Sequence, residues 1–369
     1  MNKLLSGTII MATAMAVNAA ELQLVQTWDK TFPKSDKVEH AKATFKNRFG
    51  ITLAADVYKP KAGNGEWGTG NGRAVAPRPP KFAAIAVSGP FGAVKEQVSG
   101  RYAQGLAERG FLTIAFDPSH TGESGGEPRN INSPDINTED FQAAVDYLVS
   151  RDDVDPERVG ICGICGWGGF ALNAAAIDTR IKATCAVTMY DMSRVIANGY
   201  NDSADTLEAR RAMRKAMNDQ RIKDFKSGVP AYQAVLPNPD ELTADSPQFL
   251  RDYVNFYKTP RGYHKRSPGS TNGWAITAGL SLLNTKLLAY ADEIESPVLL
   301  VHGEKAHSRY FSEGAFEKMT CKKPDGSTTA GNKELFIVPG ASHCDLYDGG
   351  GKDAIPFDKI EEFYRKNLK

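Results

Sequence analysis

Residues 160–169, Gly160-Ile161-Cys162-Gly163-Ile164-Cys165-Gly166-Trp167-Gly168-Gly169, are where this chain concentrates chemistry. A short apolar run passes directly into a glycine-dense turn and then into a small-residue helical stretch. A turn that sharp pushes one side chain out beyond the strand end, and a helix start beneath it favours an anion. Cys165 is the side chain so placed. A thiol there, its pKa lowered by the helix dipole and any nearby imidazole, would react as a thiolate nucleophile.

Two rival motifs compete with it. Gly122-Glu123-Ser124-Gly125-Gly126 fits G-x-S-x-G letter for letter, but Asp117-Pro118-Ser119-His120-Thr121 separates it from the preceding strand and Glu127-Pro128-Arg129 opens no helix. Context therefore ranks Ser124 behind Cys165. Cys162-Gly163-Ile164-Cys165 is also a C-x-x-C, which suits thiol–disulfide exchange only if both thiols sit exposed at a helix start. Alternation with Ile161 places Cys162 in the core instead. Cys185, Cys321 and Cys344 are isolated, so no zinc ligand spacing is present and no metal or cofactor is expected.

The elements that must carry Cys165 read as a βαβ succession. Val38 to Lys59 is a hairpin around Asn47-Arg48-Phe49-Gly50. Strands follow at 83–87, 111–116, 158–162, 181–189, 297–302 and 334–338. Helical patterns lie between them at Val98-Tyr102-Leu106, Phe141-Ala144-Val145-Leu148 and Gly168–Ile177, with a closing helix from Pro356 to Asn367. The expectation is an α/β fold with a mostly parallel sheet flanked by helices. Between Tyr190 and Pro297 the rhythm breaks. That stretch holds a charged helical segment, Leu207 to Lys226, and then Tyr253, Phe256, Tyr257, Tyr263, His264 and Trp274. It is longer than a connection needs and reads as a lid. The domain division is residues 21–190 and 284–369 for the core and 191–283 for the lid insertion.

Composition limits the function classes. Of 369 residues, 45 are Lys or Arg and 44 Asp or Glu, so no charge excess points to nucleic acid or to an acidic membrane surface. Five Cys are too few for a disulfide-built scaffold, and an odd number favours one free thiol. Residues 1–20 read as a signal peptide: Lys3, an apolar stretch from Leu4 to Val17, then Asn18-Ala19-Ala20. That predicts a periplasmic or secreted protein without stable membrane insertion. No sequence feature sets the oligomeric state.

Pro90-Phe91-Gly92-Ala93-Val94-Lys95-Glu96-Gln97, Asp117 to Gly126, Gly163 to Gly169, His302-Gly303-Glu304 and Pro339-Gly340-Ala341-Ser342-His343 occur in this order. Together they resemble the α/β-hydrolase superfamily in its dienelactone-hydrolase-like branch, which is similar to bacterial peptidase-like hydrolases and fungal polyketide transferases and thiohydrolases. The resemblance covers roughly 38–369. It implies the α/β-hydrolase fold with Cys165 as nucleophile and His343 as base. It implies an oxyanion hole from the amides of Gly166 and of Phe91 or Gly92.

The acid that orients His343 usually ends a G-x-x-D turn. Here that turn is Gly303-Glu304-Lys305-Ala306, so Glu304 is the favoured acid and Asp191 the alternative. Trp167 departs from the pattern, which has a small residue two positions after the nucleophile. A register shifted by two would put Trp167 in the nucleophile's place and leave the site dead. Phe91, Trp167, Tyr190, Tyr257, Tyr263 and Trp274 are candidate pocket aromatics, Trp167 and Tyr190 foremost. The implied activity is hydrolysis of an ester, lactone or thioester through a cysteine acyl-enzyme acting on a small acyl substrate. Acyl transfer on the same scaffold and an inactive ligand-binding protein are the alternatives.

Overall fold

The computed structural model describes residues 22–61, 81–322 and 325–369. The expected signal peptide and the Gly- and Pro-rich stretch at 62–80 lie outside these residues. Among the described residues, eight strands form one sheet in the order β1-β2-β4-β3-β5-β6-β9-β10. They are β1 (Val38–Lys46), β2 (Thr52–Pro60), β3 (Phe82–Ser88), β4 (Leu112–Phe116), β5 (Val154–Ile164), β6 (Ala183–Val187), β9 (Val298–Gly303) and β10 (Lys333–Val338). β1 and β2 pair antiparallel, β2 pairs antiparallel with β4, and every other pairing is parallel. A separate two-stranded ladder joins β7 (Tyr232–Gln233) to β8 (Trp274–Ala275).

The hairpin turn follows from Asn47 and Gly50. Asn47 Oδ1 accepts from the amides of Phe49 and Ile51, closing the turn before Gly50. Central strands read as unbroken apolar runs because both faces are covered. Ile85 and Val87 of β3 face one core with Tyr102, Leu106, Ile360 and Tyr364. Ala84 and Ala86 face the other with Phe141, Leu148, Phe170 and Phe311. Two-residue alternation thus splits each strand between two helical layers. α1 (Val98–Ala107) and α9 (Phe357–Asn367) cover the first face. α2 (Pro134–Val149), α3 (Gly166–Ile177) and α7 (Arg309–Thr320) cover the second.

Residues 188–297, between β6 and β9, add no strand to the main sheet. They hold α4 (Met192–Asn198), α5 (Leu207–Ser227), the small ladder and α6 (Gln248–Tyr257). α5 has no buried residue, whereas α6 buries Val254, Phe256 and Tyr257. One part of the segment is therefore solvated and another packs on the core. A last short helix, α8 (Asp345–Asp348), precedes α9. No helix among the described residues is long and apolar enough to cross a membrane.

Candidate active site

β5 ends at Ile164 and α3 begins at Gly166, leaving Cys165 alone at the turn with φ 55° and ψ −125°. A non-glycine residue at positive φ is strained by roughly 1–3 kcal/mol and persists only where its surroundings impose it. Its amide donates to Val187 O at 2.9 Å and its carbonyl accepts from Tyr190 N at 2.8 Å and Gly168 N at 2.9 Å. Gly163 makes the sharp turn possible: a Cβ there would lie 2.3 Å from Trp167 O.

Trp167 does not line a pocket, which corrects the sequence expectation. The first turn of α3 directs its ring away from Cys165, against Phe116, Phe141 and Phe170, with centroids 6.5, 6.0 and 4.9 Å away. A large side chain is accommodated two positions after the turn because it enters the core under the sheet. The strained position belongs to Cys165, so the register that would put Trp167 at the turn does not occur.

The amides of Phe91 and Gly166 and the Tyr347 hydroxyl lie near enough to the Cys165 sulfur to favour its thiolate. Gly92, the other expected oxyanion residue, has a different part. It turns the loop at φ +80°, its carbonyl accepts from Ser267 Oγ at 2.9 Å, and a Cβ would lie 2.4 Å from Gly269 O. Burial pushes the thiol above its ordinary value, against the pull of those groups. The depressed thiol expected from the helix dipole is therefore reversed by desolvation.

His343 is buried and shares Tyr347 with this thiol. Its Nε2 lies 2.9 Å from the Tyr347 hydroxyl, which makes Tyr347 the bridge between imidazole and sulfur. Its Nδ1 lies 2.7 Å from Thr188 Oγ1 and 2.6 Å from Ser308 Oγ. Burial, with His307 and His302 adding to it, holds the His343 pKa well below the usual imidazole range.

Neither carboxylate expected at Nδ1 reaches it. Glu304 is exposed, and its Oε2 accepts from Gly340 N at 2.8 Å, tying together two turns at the sheet end. Asp191 caps α4, accepting from Arg194 N at 3.0 Å and Ser193 Oγ at 2.5 Å. Its charge is spent on a helix start. Tyr190 does border the site, its ring 6.0 Å from His343 and 4.3 Å from Phe311.

Aromatic rings close the site from above. Tyr253 of α6 stands 5.3 Å from His343, Tyr257 stands 6.0 Å from Tyr347, and Phe91 packs 4.6 Å from Trp274. Tyr263 points away and is exposed. Ser124 is structural in its bonding: buried, it donates to Asp117 O at 2.6 Å and accepts from Ala54 N at 2.8 Å. Cys162 lies in β5 opposite Cys185 of β6, buried within the sheet. Thr188, Ser308 and Tyr347 escaped the sequence reading, which named His302 and Tyr253 but gave neither a place beside His343. Only Tyr347, four residues after His343 at helical spacing, left a signal there.

A buried ionic network flanks the loop that carries Phe91. Lys95 Nζ meets Glu96 at 2.9 Å, Asp117 at 2.8 Å and Glu123 at 2.5 Å. Asp56 bonds Lys30, Lys42 and His40, and Arg266 bonds Asp29 and Glu96.

A mostly parallel eight-stranded sheet covered by helices on both faces, with a strained strand–helix turn after β5, is the α/β-hydrolase fold. The chain belongs to the α/β-hydrolase superfamily. A relative from Pseudomonas aeruginosa, protein PA2218, is 55% identical over 349 residues, spanning 94% of this chain and 86% of its own. The crystal structure of that hypothetical protein superposes with a TM-score of 0.83 over 95% of this chain and 100% of its own, at 54% identity. YcjY of Escherichia coli strain K12 is 35% identical over 79% of this chain and 92% of its own. Thiohydrolase apmlB of Arthrinium phaeospermum is 29% identical over 83% of this chain and 92% of its own. The sequence profile of the prolyl oligopeptidase family matches residues 96–243.

Proposed function

We propose that this chain is a dienelactone-hydrolase-like enzyme that cleaves an ester, lactone or thioester through an acyl group on Cys165. The observation that carries this reading is Cys165 alone at the strained strand–helix turn, with the amides of Phe91 and Gly166 near its sulfur. When the sulfur attacks an acyl carbonyl, its proton passes through the Tyr347 hydroxyl to His343 Nε2. The carbonyl oxygen becomes an oxyanion, and the two amides stabilise it where its charge develops. Collapse breaks the acyl–oxygen or acyl–sulfur bond, and the departing alcohol or thiol takes the proton back from His343. Water then attacks the thioester as His343 removes its proton; the acyl–sulfur bond breaks, the Cys165 sulfur takes that proton back from His343 through Tyr347, and the carboxylic acid leaves.

Acyl transfer is the second reading. The burial of Cys165 and His343 beneath Tyr253 and Tyr257 favours it, because a site that excludes water gives an alcohol acceptor the advantage. In both readings residues 191–283 form the lid, and the N-terminal segment sends the chain to the periplasm or beyond. The test is turnover of short-chain nitrophenyl esters and acyl-thioesters by the wild type, Cys165→Ala and His343→Ala. Both variants should lose about a thousandfold or more. Undiminished turnover in Cys165→Ala would remove the acyl-enzyme.

A further inference from the structure

A histidine base needs its Nδ1 proton held in place, the role a carboxylate fills in a Ser-His-Asp triad. Among the described residues no carboxylate bonds to His343. Behind Nδ1 stands a second imidazole. Ser308 Oγ, 2.6 Å from His343 Nδ1, is also 2.9 Å from His302 Nε2, and His302 Nδ1 is 2.7 Å from Ser312 Oγ. His302, Ser308, Ser312 and His343 are all buried. His302 interrupts an apolar strand, Val298-Leu299-Leu300-Val301, where another aliphatic side chain would cost nothing to desolvate.

We propose that His302, acting through Ser308, is the positioning residue that keeps the His343 proton on Nδ1, in place of a carboxylate. The inference rests on the reading of Cys165 and His343 as nucleophile and base. Its logic is hydrogen-bond direction. A serine hydroxyl alone can turn and donate to Nδ1, which would put the imidazole proton on Nε2 and disable the base. His302 Nε2 captures the Ser308 hydroxyl proton, so Ser308 Oγ has only lone pairs to offer His343. His302 Nδ1–H then donates to Ser312 Oγ, and Thr188 Oγ1 offers His343 Nδ1–H a second acceptor.

The arrangement needs His302 neutral. Burial, with His307 and Arg309 nearby, pushes its pKa down to about 3. The titratable groups around His343 are Tyr190, Tyr253, Tyr347, His302 and His307, with Cys344 its neighbour in the chain. Those facing His302 are His307, Arg309 and His343. Only Arg309 among these carries a charge at neutral pH, and Asp252 and Lys305 border the cavity on the His307 side. The chain of hydrogen bonds is therefore a neutral one, unlike an Asp-His pair.

The experiment compares kcat, KM and the pH profile of kcat/KM for the wild type, His302→Gln, Ser308→Ala and Ser308→Asp, with Cys165→Ala as the control. His302→Gln and Ser308→Ala should lower kcat about 100-fold with KM nearly unchanged. Ser308→Asp should recover at least about a tenth of the wild-type rate. Its carboxylate favours imidazolium, so the acid limb should move to higher pH by about one unit. Ring-nitrogen NMR of folded Ser308→Ala should show the His343 proton on Nε2 rather than Nδ1, a readout independent of how well His302→Gln folds. Rates within threefold of wild type in both neutral variants, or an unchanged His343 tautomer, would overturn the role of His302 and leave Cys165 and His343 in place. Activity in Cys165→Ala would instead overturn the reading beneath it.

Discussion

Two buried polar systems border the turn that carries Cys165, and they are built from opposite materials. On the side of the Phe91 loop, Lys95 is fully buried among Glu96, Asp117 and Glu123, and the network extends through Asp56 and Arg266. On the other side, around His343, the partners are Thr188, Ser308, His302 and Tyr347, with no formal charge among them. The ionic side joins the segment at 29–30, the β1–β2 hairpin, the loops at 95–96 and 117–123, and Arg266 of the β6–β9 connection. The neutral side joins hydroxyls and imidazoles close to the thiol. Ions that must find each other fix a geometry, because each is expensive to leave unpaired in the interior. Neutral hydroxyls let a proton move without first breaking an ion pair. The two systems therefore differ in what they do: the charged one sets the loop and, in the proposed reaction, the neutral one serves the reacting atoms.

The contrast breaks most easily at Lys95. Burial disfavours its charge, but Asp117, Glu96, Asp56 and Glu123 more than offset this and raise its pKa. Lys95→Met should cost about 3–5 kcal/mol in urea unfolding, since it strands buried carboxylates. Ser308→Ala, in the neutral system, should cost about 1–2 kcal/mol. Equal losses for the two would erase the distinction.

A smaller effect sharpens the neutral side. Burial raises the Cys165 thiol above its ordinary value of 9.0, so it is protonated at neutral pH and only its thiolate is alkylated. The iodoacetamide rate at Cys165 should therefore climb about tenfold per pH unit from 7 and keep climbing beyond pH 9. A plateau below pH 7 would indicate a preformed thiolate–imidazolium pair.

The smallest change belongs to the carboxylates that lie outside both systems. Glu304→Gln should alter turnover less than about twofold and stability by no more than about 0.5 kcal/mol. Asp191→Asn keeps a good helix cap and should behave alike. A hundredfold loss in Glu304→Gln would return a carboxylate to His343.

The turn at Cys165 was legible because its signal is local: a strand, glycines and a helix in ten consecutive residues. The hairpin at Asn47–Gly50 and the parallel order of strands were legible for the same reason, since periodicity changes with each element. The direction of Trp167 was not. It depends on the phase of α3 against Phe116, Phe141 and Phe170, and the first two come from separate elements. The surroundings of His343 were least legible. Thr188, Ser308 and Tyr347 converge from three segments, and a hydroxyl has no spacing rule to mark it. A rule that seeks a carboxylate beside the imidazole seeks the wrong chemical group here.

The aromatic cover over Cys165 has a further consequence. Tyr253 and Tyr257 sit on α6, so one helix supplies both the ceiling of the site and the barrier to entry. On the proposed acyl-enzyme reading, admission of substrate and exclusion of water would be the same motion run in two directions. A change that loosened α6 to accept bulkier acyl groups would then also lengthen the time an acyl-cysteine spends in contact with bulk water. Breadth of substrate and the partition between acceptor alcohol and water would shift together, and selection acting on one would carry the other with it.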